Sequence, residues 1–411
     1  MIRKRSKGIL AIALVLVLAV SLVGCGTTTP APTTPAAPTV KSGVTINVWS
    51  HFTPTEVAAL KPIAEEWAKK TNNTVNFVAD NSDFQAFATA AQNGKGPDIM
   101  FGLPHDNLGT FQKAGLLVPV PGSVMKDSDY VPLAIQAVSY DGKKYAVPLS
   151  METYALFYNT QKVPTPPTTW DDFIAQAQKV GFQYDINNFY FTNAFLTGEG
   201  GYVFKAANGA LDPNDIGMNN EGAVKGAQLV QDFVTKYHFM PADISGNNAL
   251  AAFQNGKTGF YISGPWDVAG LKKANTPFAI TNLPALPDGK ASVPFVGVYT
   301  AFVSAKSANV DTAWDLVKYM LQKSPETLFK VGNRIPVVKS YQNDPAVQND
   351  PVIKAFMTQA NQGVPMPNIT AMAAVWGPAG DNLKLLTQGK DVKTVLDAMV
   401  AKIKSGIALQ Q

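Results

Sequence analysis

The 411-residue chain carries 34 Lys plus Arg against 30 Asp plus Glu, a formal net charge of +4. Four of those cations (Arg3, Lys4, Arg5 and Lys7) sit in the first seven residues, so the remainder is balanced and offers no basic surface for nucleic acid. A single cysteine excludes both a disulfide framework and a thiolate metal site, while 46% hydrophobic residues over this length can bury more than one core.

In chain order, MIRKRSK is followed by GILAIALVLVLAVSLV, a run without charge. A basic head, a short apolar stretch and small residues form the layout of a secretory signal. The run is shorter than the roughly 20 apolar residues of a permanent span. Leu22-Val23-Gly24-Cys25 resembles the lipobox of bacterial lipoproteins, which predicts removal of residues 1–24 and acylation of Cys25 as the new N-terminus. From Gly26 to Gly43 the chain holds four prolines, six threonines and no aromatic residue. Such a segment buries too little apolar surface to fold, so residues 25–43 are predicted to form an acylated tether of about 55 Å. Charged residues make up only 16% of the chain. Fewer charges mean less repulsion as carboxylates protonate, which suits acidic surroundings.

VTINVWS (44–50) alternates as a strand, and PTEVAALKPIAEEWAKKT follows with helical spacing of Val57, Leu60, Ile63, Ala64 and Trp67. TVNFVAD reads as a second strand, DFQAFATAAQNGKG as a helix stopped at Asn93-Gly94, and PDIMFG as a third strand. HDNLGTFQKAGLL predicts a helix, and KKYAVPLS and TYALFYN predict strands. From PPTTWDDFIAQAQKV onward the pattern is mostly helical, until KTGFYISG and SVPFVGVYTAFVSA return to strands. DTAWDLVKYMLQKS predicts a helix capped by Asp311, and DVKTVLDAMVAKIKSGI a closing amphipathic helix. This alternation indicates an α/β fold with helices on the faces of its sheets.

Motifs of catalysis are missing. His51, His105 and His238 lack metal-ligand spacing, NGKT at 255–258 lacks the first glycine of a phosphate loop, and no nucleophile elbow is present. The chemistry that remains is aromatic and carboxylate. FYISGPWDVAG breaks at Gly264-Pro265 and exposes Trp266 and Asp267, MPNITAMAAVW ends in Trp376 beside Gly377-Pro378, and NNFYF, if extended, turns Tyr190 away from Phe189 and Phe191. GPDIMFGLPHDN delivers His105, Asp106 and Asn107 from the end of a strand, and Glu152 lies between two strands. Flat rings beside planar carboxylates and amides suit a neutral sugar, whose C–H face stacks on an aromatic ring and whose hydroxyls need matched partners.

GKGPDIMFG, PPTTW, GGYVFK, LDPNDIGMNNEGA, AAFQNGKTGFYISGPWD, PFVGV and MPNITAM resemble the maltose/maltodextrin-binding family of sugar ABC transporter receptors, over nearly the whole body. The resemblance implies two discontinuous α/β lobes, of residues 44–150 plus 300–346 and 151–299 plus 347–405. They are joined by a hinge with crossings near Ser150–Thr153, Val296–Tyr299 and Asp344–Pro351. It also implies a monomer without cofactor, catalytic residue or metal, lipid-anchored at the extracellular face of the membrane, that passes maltodextrin-type oligosaccharides to an ABC permease. By position it makes Trp266, Trp376 and Tyr190 stacking platforms, Asp106 and Glu152 acceptors for hydroxyls, and Met366 an apolar wall. Asn107 and Asn188 stand where the best-known periplasmic members carry Arg and Glu, so fewer charged contacts to the sugar are implied. The rival readings are a glycoside hydrolase acting on α-glucans and a receptor for a different oligosaccharide.

Overall fold

A computed structural model describes residues 39–80, 82, 84–140, 142–207 and 210–410. Cys25 and the expected signal lie outside the described residues. The chain joins the body earlier than its composition suggests. Thr39 N–H donates to the Asp311 carboxylate (3.1 Å), Lys41 N–H to Thr312 Oγ1 (3.0 Å), and Gly43 N–H to the Asn72 carbonyl (2.7 Å). Residues 39–43 are therefore held, because their backbone donors find fixed acceptors.

The body begins with β1 (Thr45–Ser50), α1 (Pro54–Thr71), β2 (Thr74–Ala79), α2 (Ala86–Gln92), β3 (Ile99–Pro104), α3 (Leu108–Lys113) and α4 (Pro132–Val138). In α1 the Thr53 hydroxyl accepts from Glu56 N–H while the Glu56 carboxylate accepts from Thr53 N–H, a reciprocal cap with Pro54 in the first turn. A short hairpin, β4 (Ser139–Tyr140) and β5 (Lys143–Lys144), leads to β6 (Val147–Glu152) and β7 (Ala155–Asn159).

The middle of the chain holds α5 (Trp170–Val180), β8 (Phe182–Gln183) and α6 (Phe189–Gly198). A second hairpin of β9 (Lys205–Ala207) and β10 (Ala210–Asp212) follows, then α7 (Glu221–Thr235) and α8 (Gly246–Gln254). The NNFYF stretch is not extended. The Asn188 side chain accepts from Tyr190 N–H (3.1 Å), and this cap turns the chain into α6.

Next come β11 (Phe260–Ser263), α9 (Val268–Lys273), β12 (Phe278–Thr281), β13 (Phe295–Val303) and α10 (Val310–Gly332). The helix expected to start at an Asp311 cap begins at Val310, with Asp311 inside its first turn, and it passes Pro325. That proline removes one backbone bond, but Leu328 and Phe329 continue the buried face, and their burial holds the last turns. The chain closes with β14 (Ile335–Pro336), α11 (Lys339–Gln342), α12 (Pro345–Gln348), α13 (Pro351–Ala360), β15 (Val364–Pro365), α14 (Trp376–Thr387) and α15 (Val392–Ala408).

A seven-stranded sheet runs β14-β6-β13-β3-β1-β2, with β15 beside β13. β1 is parallel to β2 and β3, whereas β13 is antiparallel to β3 and β6. The second sheet runs β12-β7-β11-β8. The chain passes from the first sheet to the second between Glu152 and Ala155 and returns between Thr281 and Phe295. It passes over again after Pro336, since α13 lies against β12 and β7. Val296–Tyr299 lies within the continuous, fully buried strand β13. Two passages are tied together: the Thr153 hydroxyl donates to the Phe295 carbonyl (2.8 Å), and Phe295 N–H donates to the Tyr154 hydroxyl (3.2 Å). Among the described residues no helix is long and apolar enough to cross a membrane.

Candidate functional site

A cavity of about 730 Å³ opens where elements of both sheets end, and Asp106, Asn107, Glu152, Asn188, Tyr190, Trp266, Met366 and Trp376 all line it. The elements that carry them explain how residues so distant in sequence converge.

β3 is buried along its whole length and ends in a tight turn, His105–Asn107. His105 is fully buried. Its Nδ1 accepts from Val298 N–H (3.1 Å) and its Nε2–H donates to the Met366 carbonyl (2.9 Å), which joins the end of β3 to β13 and to the segment after β15. Burial holds the imidazole neutral, with its pKa down at about 4. Next to it, the Asp106 carboxylate accepts from Trp376 Nε1–H (3.2 Å) and from Asn107 Nδ2–H (3.2 Å), and Gln85 Nε2–H donates to Asn107 Oδ1 (2.8 Å). Burial pushes Asp106 up to about 6.

The aromatic side chains of the cavity are in contact, Tyr190 and Trp376 through Phe295, which is buried and does not line the space. Trp266 meets Tyr190 (centroids 6.2 Å apart), Tyr190 stacks on Phe295 (6.3 Å), and Phe295 meets Trp376 (6.1 Å). Because Tyr190 and Phe191 open a helix, both rings reach Trp266 and both line the cavity. The Tyr190 hydroxyl is buried without a hydrogen-bond partner among the described residues. Trp376 begins α14, and Pro378 sits in the first helical turn, where a missing N–H costs no bond. Gly264 lets the Trp266 indole lie against the backbone, since a Cβ there would come within 2.2 Å of the ring. Gly264→Ala is therefore expected to displace Trp266 with little change in the unfolding midpoint. Near-ultraviolet circular dichroism would report the displacement, and an unchanged tryptophan band would contradict it.

Asn188 is exposed, and its side-chain oxygen is engaged in capping α6. Met366 is buried and its N–H donates to the Val296 carbonyl (3.2 Å). Asp267, also on the cavity wall, accepts from the Tyr261 hydroxyl (2.8 Å) and the Ser263 hydroxyl (2.6 Å). Glu152 ends β6, buried, and bonds to Arg334 Nη1–H. Arg334 also donates through Nε to Glu56 Oε1 (2.8 Å) and through Nη2 to Glu56 Oε2 (3.2 Å).

Arg334, Glu56 and Tyr299 escape a reading of motifs. A signal for the first was available: Arg334 is the only arginine after the N-terminal basic run, in a chain that otherwise uses lysine. A planar, permanently charged fork is the residue type suited to a buried pair of carboxylates. Phe84 and Asp185 line the cavity too and were likewise unmarked.

Among the described residues no Lys, Arg or His lines the cavity, and burial raises the pKa of the carboxylates that do, Asp106, Glu152, Asp185 and Asp267. Such a site favours a neutral ligand rich in hydrogen-bonding groups over an anion. Among the described residues no group of three His, Cys, Asp or Glu is placed to hold a metal ion.

Residues 62–355 match the family described as bacterial extracellular solute-binding protein. The galactooligosaccharide-binding protein of Bacillus subtilis (strain 168) is 36% identical over 329 residues, which cover 76% of this chain and 78% of that protein. A maltooligosaccharide ABC transporter solute-binding lipoprotein of Streptococcus pneumoniae is 30% identical over 332 residues, 77% of this chain and 78% of that one. The X-ray structure of the maltose-maltodextrin binding protein of the thermoacidophilic bacterium Alicyclobacillus acidocaldarius superposes with a TM-score of 0.85 at 42% identity, covering 88% of this chain and 100% of that one. The two-lobed α/β fold implied by the sequence resemblance is thus the fold of this chain. With a match across most of its length and a cavity suited to neutral solutes, the chain belongs to the family of bacterial extracellular solute-binding proteins.

Proposed function

We propose that this protein captures maltodextrin-type oligosaccharides between its lobes and delivers them to an ABC permease, held at the outer face of the cell membrane by a lipid on Cys25. The observation that carries this reading is the cavity wall, where Trp266, Tyr190 and Trp376 from separate elements stand beside buried acceptors and, among the described residues, no cation lines the space. Stacking on Trp266, Tyr190 and Trp376 serves the sugar's C–H faces, Asp106, Glu152, Asn107 and Asn188 serve its hydroxyls, and Met366 is the apolar wall. The lobes are residues 44–150 plus 300–346 and 151–299 plus 347–405, and sugar contacts from both favour a closed form that the permease distinguishes by shape. The protein acts as a monomer and as a receptor, not a catalyst. The matching family and relatives are binding proteins, which supports a receptor over a catalyst.

Calorimetric titration with maltotriose should give saturable heat, and small-angle scattering should show compaction on saturation. Maltoheptaose incubated with the protein should stay intact, and its cleavage would make the protein an enzyme. The 36% identity to a galactooligosaccharide-binding protein supports a second reading, in which the sugar is a galactooligosaccharide. Titrating both sugar classes in parallel separates the two, and no heat with either would sink the carbohydrate assignment. Cys25→Ser should release the protein into the medium, and its retention in the membrane fraction would contradict the anchor.

A further inference from the structure

Behind the cavity lies a buried group of charges that does not line it. Arg334 and Glu56 are each 2% exposed, and Glu152 stands between them and the cavity. The guanidinium carbon lies 4.5 Å from the Tyr299 ring centroid and 5.2 Å from that of Phe52, and these two rings stack at 5.0 Å. Three elements meet here: Glu56 comes from the first turn of α1, Glu152 from the last residue of β6 where the chain leaves the first sheet, and Arg334 from the link between α10 and β14. Gly332 makes room for the contact, since a Cβ there would come within 2.1 Å of the Glu56 carboxylate.

One guanidinium faces two carboxylates, so full ionisation would leave an excess negative charge away from water, which a proton removes at far lower cost. The bonding decides which carboxylate takes it. Glu56 receives two N–H groups from Arg334, the Thr53 N–H (2.8 Å) and the Thr53 hydroxyl (2.8 Å). Glu152 receives one donor from Arg334. It also feels the negative charges of Glu56 and Asp106, while Tyr190 and Tyr299 stand close enough for its charge to affect theirs. Burial opposes the charge on Glu56, yet Arg334 and Thr53 hold it below its ordinary range. Burial raises Glu152 to about 7, with Arg334 pulling the other way. A protonated Glu152 donates one hydrogen bond and accepts others, whereas the ionised form only accepts.

We propose that Arg334 and Glu56 are positioning residues for ligand recognition: by sharing one guanidinium between two carboxylates they set both the place and the charge of the group that Glu152 presents to the cavity. This rests on the oligosaccharide reading, because a sugar hydroxyl can answer either form of Glu152, with a different affinity for each.

Glu56→Gln tests it, since the amide keeps the shape and removes the competing charge. Arg334 is then balanced by Glu152 alone, and the Glu152 titration should fall by about one pH unit or more. Carbon-13 NMR of glutamate-labelled, sugar-free protein reads that midpoint, with Glu152→Gln supplying the assignment. A midpoint that does not move overturns the proposal. Calorimetry with maltotriose from about pH 5 to about pH 8 should show a stepwise change in wild-type affinity. In Glu56→Gln the step near pH 7 should move to lower pH, and in Glu152→Gln it should be absent, leaving only the change that Asp106 contributes near pH 6. A flat wild-type profile, or a step near pH 7 that survives in Glu152→Gln, overturns the link to recognition even if Glu56→Gln fails to fold. Wild-type protein that gives no heat with any sugar sinks the oligosaccharide reading instead, and the NMR midpoint then decides the charge coupling by itself.

Discussion

Arg334→Met is expected to destabilise the folded protein by about 3–5 kcal/mol, because it leaves two buried carboxylates without their cation. Methionine fills much of the volume beside Phe52 and Tyr299 but supplies none of the three bonds that Arg334 makes to Glu56 and Glu152. The loss should depend on pH in a direction that the linkage fixes. In the wild type Glu56 titrates below its ordinary value of 4.5, so its contribution is complete above that value and fades only as pH falls through its folded pKa. Glu152 already titrates above its ordinary value, at about 7, so its contribution fades as pH rises through 7. Without Arg334 both carboxylates titrate above their unfolded values, and stability is lost as pH rises through them. Denaturant unfolding should therefore show a larger deficit at about pH 8 than at about pH 5. An equal deficit at both would mean that lost packing, not charge, explains the cost.

Trp266→Ala and Trp376→Ala should each weaken sugar binding by about 2 kcal/mol, roughly thirtyfold, as expected for central aromatic anchors. The two should differ with pH. Trp266 packs on the rings of Tyr190 and Phe191, and burial raises the Tyr190 hydroxyl well above its ordinary range, so the loss of Trp266 removes stacking at any pH tested. Trp376 also donates to Asp106, whose pKa burial raises to about 6 and this bond restrains. Removing the donor raises Asp106 further and protonates it at higher pH, so the penalty of Trp376→Ala should vary between about pH 5 and about pH 7. Calorimetry of both variants across that range is the check, and wild-type-like affinity in both would undo the site assignment.

Some rings and hydrogen-bonding groups of the cavity carried a local signal in the sequence, whereas Phe84, Asp185 and Tyr299 carried none. Trp266 follows a Gly-Pro break at the end of a strand, and Asp106 with Asn107 follows β3 at the edge where α/β sheets place ligands. Tyr190 was identified from a wrong local structure. NNFYF alternates like a strand, but the Asn188 side chain competes for Tyr190 N–H and starts a helix, which puts Phe191 on the cavity as well. Pro325 and the Gly377-Pro378 pair, residue types that usually break a helix, do not break one here. Both lie inside helices, one held by burial of the residues that follow and the other in a first turn that needs no donor.

By itself the sequence marked many of the strands and helices, a charge that is balanced after the first seven residues, and the types of side chain a neutral solute needs, since periodicity, caps and composition act over a few residues. Only the tertiary structure decided that the rings come into contact, that His105 joins β3, β13 and the Met366 segment, and that Arg334 is shared by Glu56 and Glu152. Those contacts span up to 278 positions in the chain, and their energies depend on exclusion from water, which no local pattern encodes.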